Sequence, residues 1–547
     1  MRSFPIALGF ALVIATAGLS ATQAGQPASQ HEHGGSPGRL GTVHFDTSCA
    51  PAVLKEFDRG VALLHSFWFT AAIQSFDSVL KEDPQCVMAR WGLAMSWWGN
   101  PFGGFRSPAA LKSGLAATDA AKASGGGTER EKAYVAAVDL LFRDAPTVAQ
   151  RTRTVAYEKA MEALSAKYPD DVEARIFYAL ALDQTALPTD KTYANQLRAA
   201  GILEQEFKRQ PEHPGLAHYI IHSFDVPALA PRALDAARRY AKIAPDAAHA
   251  LHMPSHTFTR VGFWEESIAA NEASAAAARK DNAVGEELHA RDYQMYAYLQ
   301  TAQDAAARRT LDAAAAFADR MADAANSAGN AAPLPAGYYA LAAIPARYAL
   351  ERGAWDEAAR LTPRQTPFAY ADAVTYFARA LGAARSGNVA SAKQDLERLA
   401  TLRDTLEKAK DVYWSGQVEI QRRGAAAWVT LAEGRQAEAL AMMREAADME
   451  DATEKAAVTP GPIKPARELL GEMLLQVKQP GEALTAFETT LTKEPNRFRA
   501  LYGAGQAATA AGQKLEGGNY YARLLKICPK ADRPGRKELD QARHAAR

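Results

Sequence analysis

Nowhere along its 547 residues does the chain sustain the alternation of apolar and polar positions that a half-buried strand requires. Alanine is abundant, and glycine and proline are dispersed as punctuation between stretches. The pattern predicts an all-α protein. Polar positions are as informative as apolar ones between residues 218 and 289. His249, His252 and His256 recur there at i, i+3 and i+7, while Leu251 and Phe258 fall on the other side, so a histidine stripe lies opposite a packing stripe. His218, His222 and Asp225 stand at i, i+4 and i+7, within roughly 60° of one another on a helix. His289, Asp292 and Tyr296 repeat the i, i+3, i+7 spacing.

The length exceeds what one compact core accommodates, so the chain is either several domains or an elongated array. Punctuation favours the array. Gly60, Ala72, Phe76 and Pro84, and again Gly471, Ala483, Phe487 and Pro495, are spaced as in paired helices, with Pro495 and Pro529 one 34-residue period apart. On these residues the chain resembles the tetratricopeptide repeat family. The resemblance covers most of residues 50 to 530 and implies a right-handed α-solenoid of helical hairpins whose first helices line a concave face.

The expected organisation is a signal peptide over 1–24, a flexible arm over 25–48, a solenoid over 49–325 carrying the histidine-rich face, a linker over 326–337, a second solenoid over 338–530 and a basic, disordered tail over 531–547. Two further interruptions stand out. One lies between Asn100 and Gly127, where Pro101, Phe102, Gly103, Gly104 and Phe105 form a glycine-rich aromatic loop, read either as a lid over a groove or as an insertion packed on its own repeat. The other is a turn at Pro460, Pro462 and Pro465.

Six of the twelve histidines fall within residues 218–289, against about 1.6 expected from their mean density. A 34-residue shift carries His218 onto His252 and His222 onto His256. Packed helices lie about 8–10 Å apart, so two neighbours can share one ion, whereas outer helices roughly 16–20 Å apart need a second. The reading is one site from His218, His222, His252 and His256 with Asp225 as ligand or outer partner. His249, His289 and Asp292 make a second site or a substrate-facing extension, and Tyr219, Tyr293 and Tyr296 donate hydrogen bonds. His65 is expected to look the same way from several repeats off. Imidazole-rich ligation suits a transition metal, Zn or Cu with Ni also admitted, better than Mg, Ca or Mn. His218 and His222 have the spacing of zinc peptidases, but Tyr219 stands where the catalytic glutamate belongs, so that mechanism is not carried over. A catalytic version, hydrolase or oxidase, takes three protein ligands with Asp225 or Asp292 as base. The alternative is a non-catalytic scaffold whose groove holds a protein, peptide or small molecule.

The charge balance, 63 basic against 62 acidic residues, gives no field that would concentrate nucleic acid or an anionic membrane. Arg2, the apolar run Phe4–Leu19 and the small residues up to Ala24 describe a secretory signal rather than a membrane span, so an exported protein, periplasmic or secreted, is expected. Cys49 and Cys86 fall at the same end of one predicted hairpin, where a disulfide and two buried thiols are both open, and Cys528 is left over. Phosphate-cradling glycine loops and glycine-flanked nucleophilic serines are missing, which disfavours nucleotide chemistry and serine hydrolysis.

Overall fold

The structure, a computed structural model, describes residues 38–104, 106–326 and 334–545. Among them every regular element is helical, and consecutive helices pack as pairs. The pairing has a simple steric basis. Phe76, on helix Phe69–Glu82, sits between Gly60 and Gly92, sixteen residues to either side, where an added Cβ would lie 2.8 Å and 2.4 Å from its ring. Phe487 sits in the same way between Gly471 and Gly503, with corresponding distances of 2.8 Å and 2.3 Å. A large ring on each second helix thus fills the notch left by a glycine on the helix before and the helix after. A methyl group at any of these glycines would overpack the joint at a cost of about 1–3 kcal/mol. The proline punctuation works as expected. Helices Phe69–Glu82 and Pro480–Lys493 each end with one residue to spare before Pro84 and Pro495. The fold is an all-α array of tetratricopeptide-type hairpins.

No described helix is long and apolar enough to cross a membrane. Cys49 and Cys86 form a disulfide that ties the ends of the first hairpin, and Cys528 is a buried free thiol.

Several boundaries differ from the sequence reading. The segment read as a flexible arm is packed from Leu40 onward, because Leu40, Val43 and Phe45 are buried and Phe45 meets Phe57, Trp91 and Tyr134. The insertion after Asn100 is largely helical, Pro108–Ala123 packing on Val87–Trp98, which leaves only a short loop around Phe102. The expected linker at 326–337 falls partly outside the described residues, and helix Leu334–Glu351, which begins inside it, packs on the earlier helix Val284–Gln300. The tail is ordered as helix Lys537–Ala545, held by buried Leu539 and Ala542 and by Arg536 on Asp304. Residues 1–37, with the expected signal peptide, lie outside the described residues, as does Phe105.

The largest departure is at Pro460, Pro462 and Pro465. Residues 453–465, between helices Gln436–Asp451 and Ala466–Gln476, form a strap that runs inward over the histidine-bearing helices. Arg347, fully buried, fixes it by donating to the carbonyls of Pro462 (2.9 Å) and Gly461 (2.9 Å) and to Thr459 Oγ1 (2.7 Å). Tyr293 donates to the Thr459 carbonyl (3.0 Å), and Lys455 reaches Asp225 (3.0 Å). The face expected to line an open groove is covered by the chain itself.

Candidate metal centre

Four helical segments carry the six histidines: Pro214–Ser223, Ala248–His252, Pro254–Val261 and Val284–Gln300. The middle two are almost one helix, interrupted at Met253 because Pro254 has no N–H to continue the ladder. They lie where the apolar cluster that ends at Phe258 gives way to the cluster that begins at Trp264. The histidines therefore occupy a polar seam between hydrophobic cores, and all but half-buried His222 are buried.

The rings gather as two triads, His218 with His222 and His249, and His252 with His256 and His289. Within each, the candidate ligand atoms lie within 4.8 Å of one another. This grouping differs from the one drawn from the 34-residue register, which joined His218 and His222 to His252 and His256. Register-equivalent residues on packed helices lie side by side at the interhelical spacing. Convergence needs a residue at another height, and His249, one turn before His252, supplies it.

Hydrogen bonds on the outer ring nitrogens set the tautomers. His218 Nδ1–H donates to the His65 carbonyl (2.6 Å). Asn271 donates its Nδ2 to the Ser267 carbonyl (2.7 Å), which turns its Oδ1 towards His252 Nδ1 (2.7 Å). His256 Nδ1–H donates to the Asp225 carboxylate (2.9 Å). A neutral imidazole carries one N–H, so in each of these rings Nε2 presents a bare lone pair. His252 Nε2 and His256 Nε2 nonetheless face each other at 3.0 Å, two acceptors with no proton to share. His218 Nε2 and His222 Nε2 lie 3.1 Å apart. Each triad also holds one buried ring nitrogen without a partner, Nε2 of His249 and Nδ1 of His289.

Burial, and then the neighbouring imidazoles, push His218, His222, His252 and His289 well below the ordinary histidine range. His256 falls to about 4 through burial, opposed by Asp225. At neutral pH no proton bridges His252 Nε2 and His256 Nε2, whereas His222 carries its N–H free to donate from Nε2 to His218. Metal-ligating histidines commonly donate their other N–H to a carboxylate, carbonyl or amide, and His218, His252 and His256 have such partners.

The other expected residues take different places. Asp225 lies on the outer side of His256: burial opposes its charge, but Lys455, Arg260 and His256 around it hold it well below the usual carboxylate range. Asp292 is buried in an ion pair with Arg347 (2.8 Å), and burial raises its carboxyl despite that partner. Tyr293 stacks on His256 and edges onto His252, at 4.8 Å in both cases. Tyr219 turns away to His65 Nδ1 (3.0 Å), and Tyr296 bonds to Glu494 and Arg497. His65 does not face the triads with its ring. It joins His213 on the two oxygens of Glu173, each at 2.9 Å.

Sequence reasoning missed Glu286 beside His249 (3.4 Å), Asn271, Arg260 and Lys455. Arg260, four residues after His256, was within reach of the same helical-face argument. Lys455, 230 residues from Asp225, carried no local signal. Beyond Lys455 a cleft opens, lined among others by Arg260, Tyr339, Tyr413, Trp414 and Glu450. Burial pushes the Glu450 carboxyl up to about 8 and the Lys455 ammonium down to about 8. Phe102, from the aromatic loop, stacks on His222 with ring centroids 4.1 Å apart.

No family model and no curated protein matches the chain. Among solved structures it is similar to a tetratricopeptide repeat protein from Parabacteroides merdae at 12% identity and a TM-score of 0.28, covering 54% of this chain and 98% of that one. It is similar to the human IFIT1 dimer with m7Gppp-AAAA at 12% identity and a TM-score of 0.31, covering 81% and 90%. Yeast Tom70 overlaps at 13% identity and a TM-score of 0.27, covering 90% and 95%. At these scores the likenesses carry no functional information.

Proposed function

We propose that the chain binds two transition-metal ions, one in each histidine triad. The observation that carries this reading is the pair of bare Nε2 lone pairs of His252 and His256 facing each other at 3.0 Å in a buried seam. Such a contact is repulsive unless a cation lies between the nitrogens, and the depressed basicity of both rings excludes a proton at neutral pH. Three protein ligands per ion leave a coordination position open, the arrangement of catalytic rather than structural sites. That supports a metal-dependent enzyme, hydrolase or oxidase, over a structural clamp. Zn and Cu suit an imidazole-only set, and Ni is the third choice. Export to an oxidising compartment is supported by the Cys49–Cys86 disulfide. A scaffold holding a peptide over the histidine face is less favoured, because residues 453–465 occupy that face.

The deciding measurement is metal content of the mature protein purified without a histidine tag. About two equivalents of Zn or Cu are expected, with loss of metal in a His222→Ala, His256→Ala double variant. Protein that is isolated metal-free and takes up none of Zn, Cu or Ni tightly would overturn the proposal.

A further inference from the structure

The two triads are not separate sites on a long surface. His249 and His252, one from each triad, are a single turn apart on the same helix, with ring centroids 6.1 Å apart. His222 and His256, again one from each, are also 6.1 Å apart. The same value separates His256 from His289 within one triad. The other ring pairs within the triads are closer, 4.4–5.0 Å, so the spacing across the divide equals the widest spacing inside it, and ions in the two triads would be neighbours in one buried pocket.

Charge narrows the choice of ion. All six candidate ligands are imidazoles; of the carboxylates that touch them, Asp225 is already matched by Lys455 and Arg260, and Glu286 reaches only the Nδ1 of His249, at 3.4 Å. Two divalent ions would bring a charge of about four units into a seam without anionic ligands, a heavy desolvation cost. Two cuprous ions bring half of that. Once oxidised, copper stands at the top of the divalent affinity order for nitrogen sites, so the same histidines hold the Cu(II) pair. Two neighbouring three-coordinate cuprous ions have a defined partner in a small, neutral, two-electron acceptor.

We propose that the six histidines form a single dinuclear copper centre, one ion per triad, which takes dioxygen between its two metals. The step balances without another reactant. Each Cu(I) gives one electron, dioxygen becomes peroxide as its O–O bond order falls from two to one, and the pair becomes two Cu(II). No proton is needed, and the bound dianion offsets half of the metal charge. Release of dioxygen reverses the step. Access runs past Phe102, since His222 beneath it is the one histidine of the six that is not buried.

The inference rests on the metal-binding reading, and one experiment separates the two. The full-length mature protein, freed of metal by chelation and dialysis, is given a labile cuprous complex without oxygen and then exposed to dioxygen. Expected are two coppers per chain, a strong near-ultraviolet peroxide-to-copper absorption that disappears on degassing, and loss of most of the paramagnetic copper signal because the two Cu(II) spins couple. His222→Ala and His289→Ala, one from each triad, should each abolish the absorption. Two coppers that oxidise to a full, uncoupled paramagnetic signal, or protein that retains two zinc but no copper, would overturn the inference and leave metal binding standing. Protein that retains no metal of any kind would overturn both. The wild-type spectra decide the matter even where a variant fails to fold.

Discussion

Two groups of buried histidines lie side by side in this molecule and are built on opposite principles. In the trio His65, Glu173 and His213, the two oxygens of one carboxylate accept from two imidazoles, and Tyr219 pairs with the other nitrogen of His65. His65 and His213 hold the Glu173 carboxyl at about 2, against a burial that alone would raise it. In the triads, His218, His252 and His256 donate outward, which leaves the Nε2 lone pairs of His252 and His256 facing each other. Both groups are buried and rich in imidazole, and both have distances compatible with an ion. What separates them is the balance of donors and acceptors. The trio leaves His213 Nδ1 without a partner, as each triad leaves one nitrogen, but its two acceptor oxygens each meet a donor, whereas in the triads two acceptors converge.

The comparison is tested most strongly at Glu173. Glu173→Ala should cost about 3–5 kcal/mol in denaturant unfolding of the metal-free protein, because it strands two buried imidazoles. Its folded pKa lies below the unfolded one, so the stabilisation is complete above the unfolded value and lost as pH falls from about 4.5 through about 2. Acid titration of the wild type and variant should differ in that window, and identical curves would place Glu173 outside the network.

His252→Ala probes the other group. It removes one of two facing lone pairs, so the metal-free protein should lose less than a Glu173 variant does. The stabilisation by added Cu or Zn, about 2.7 kcal/mol at a hundredfold excess over Kd, should shrink sharply in thermal melts. A full metal-induced shift in the variant would dissolve the distinction between the groups.

Asp225→Asn keeps an oxygen for His256 but takes away the charge, and should weaken metal affinity by about 10–100-fold in a competition titration. An unchanged affinity would show that Asp225 serves only Arg260 and Lys455. The smallest effect is expected at Phe102. Phe102→Ala should leave affinity within about a factor of five, under 1 kcal/mol, while a chelator strips metal faster. Equal stripping rates would move the entrance elsewhere.

Much of this was legible in the sequence because it is local. The absence of strand alternation, the glycine and proline punctuation and the i, i+4 histidine pairs all act within one or two helices. The register identified the neighbouring helices correctly. It could not decide which rings converge, since that depends on height along the helix, and His249 joins His218 only because it lies a turn before His252. Asp292 satisfied the same spacing rule as Asp225, yet its partner is Arg347, 55 residues away. Leu40, Val43 and Phe45 are too few apolar residues to mark an ordered segment until Trp91 and Tyr134 are beside them. The strap was invisible because its anchors act over 166 and 230 residues.

That strap changes what kind of object the array is. Linear repeat proteins are quasi-one-dimensional: each hairpin answers only to its neighbours, ends fray independently, and units can be removed from one terminus without consulting the other. Here Lys455 and Thr459 bind back to Asp225 and Tyr293, Glu454 to Lys191, and Asn496 accepts from Trp264. The line becomes a ring of mutual dependence, so calorimetry should record one cooperative melt, and deletion of the last third of the chain should unseat the histidines between 218 and 289.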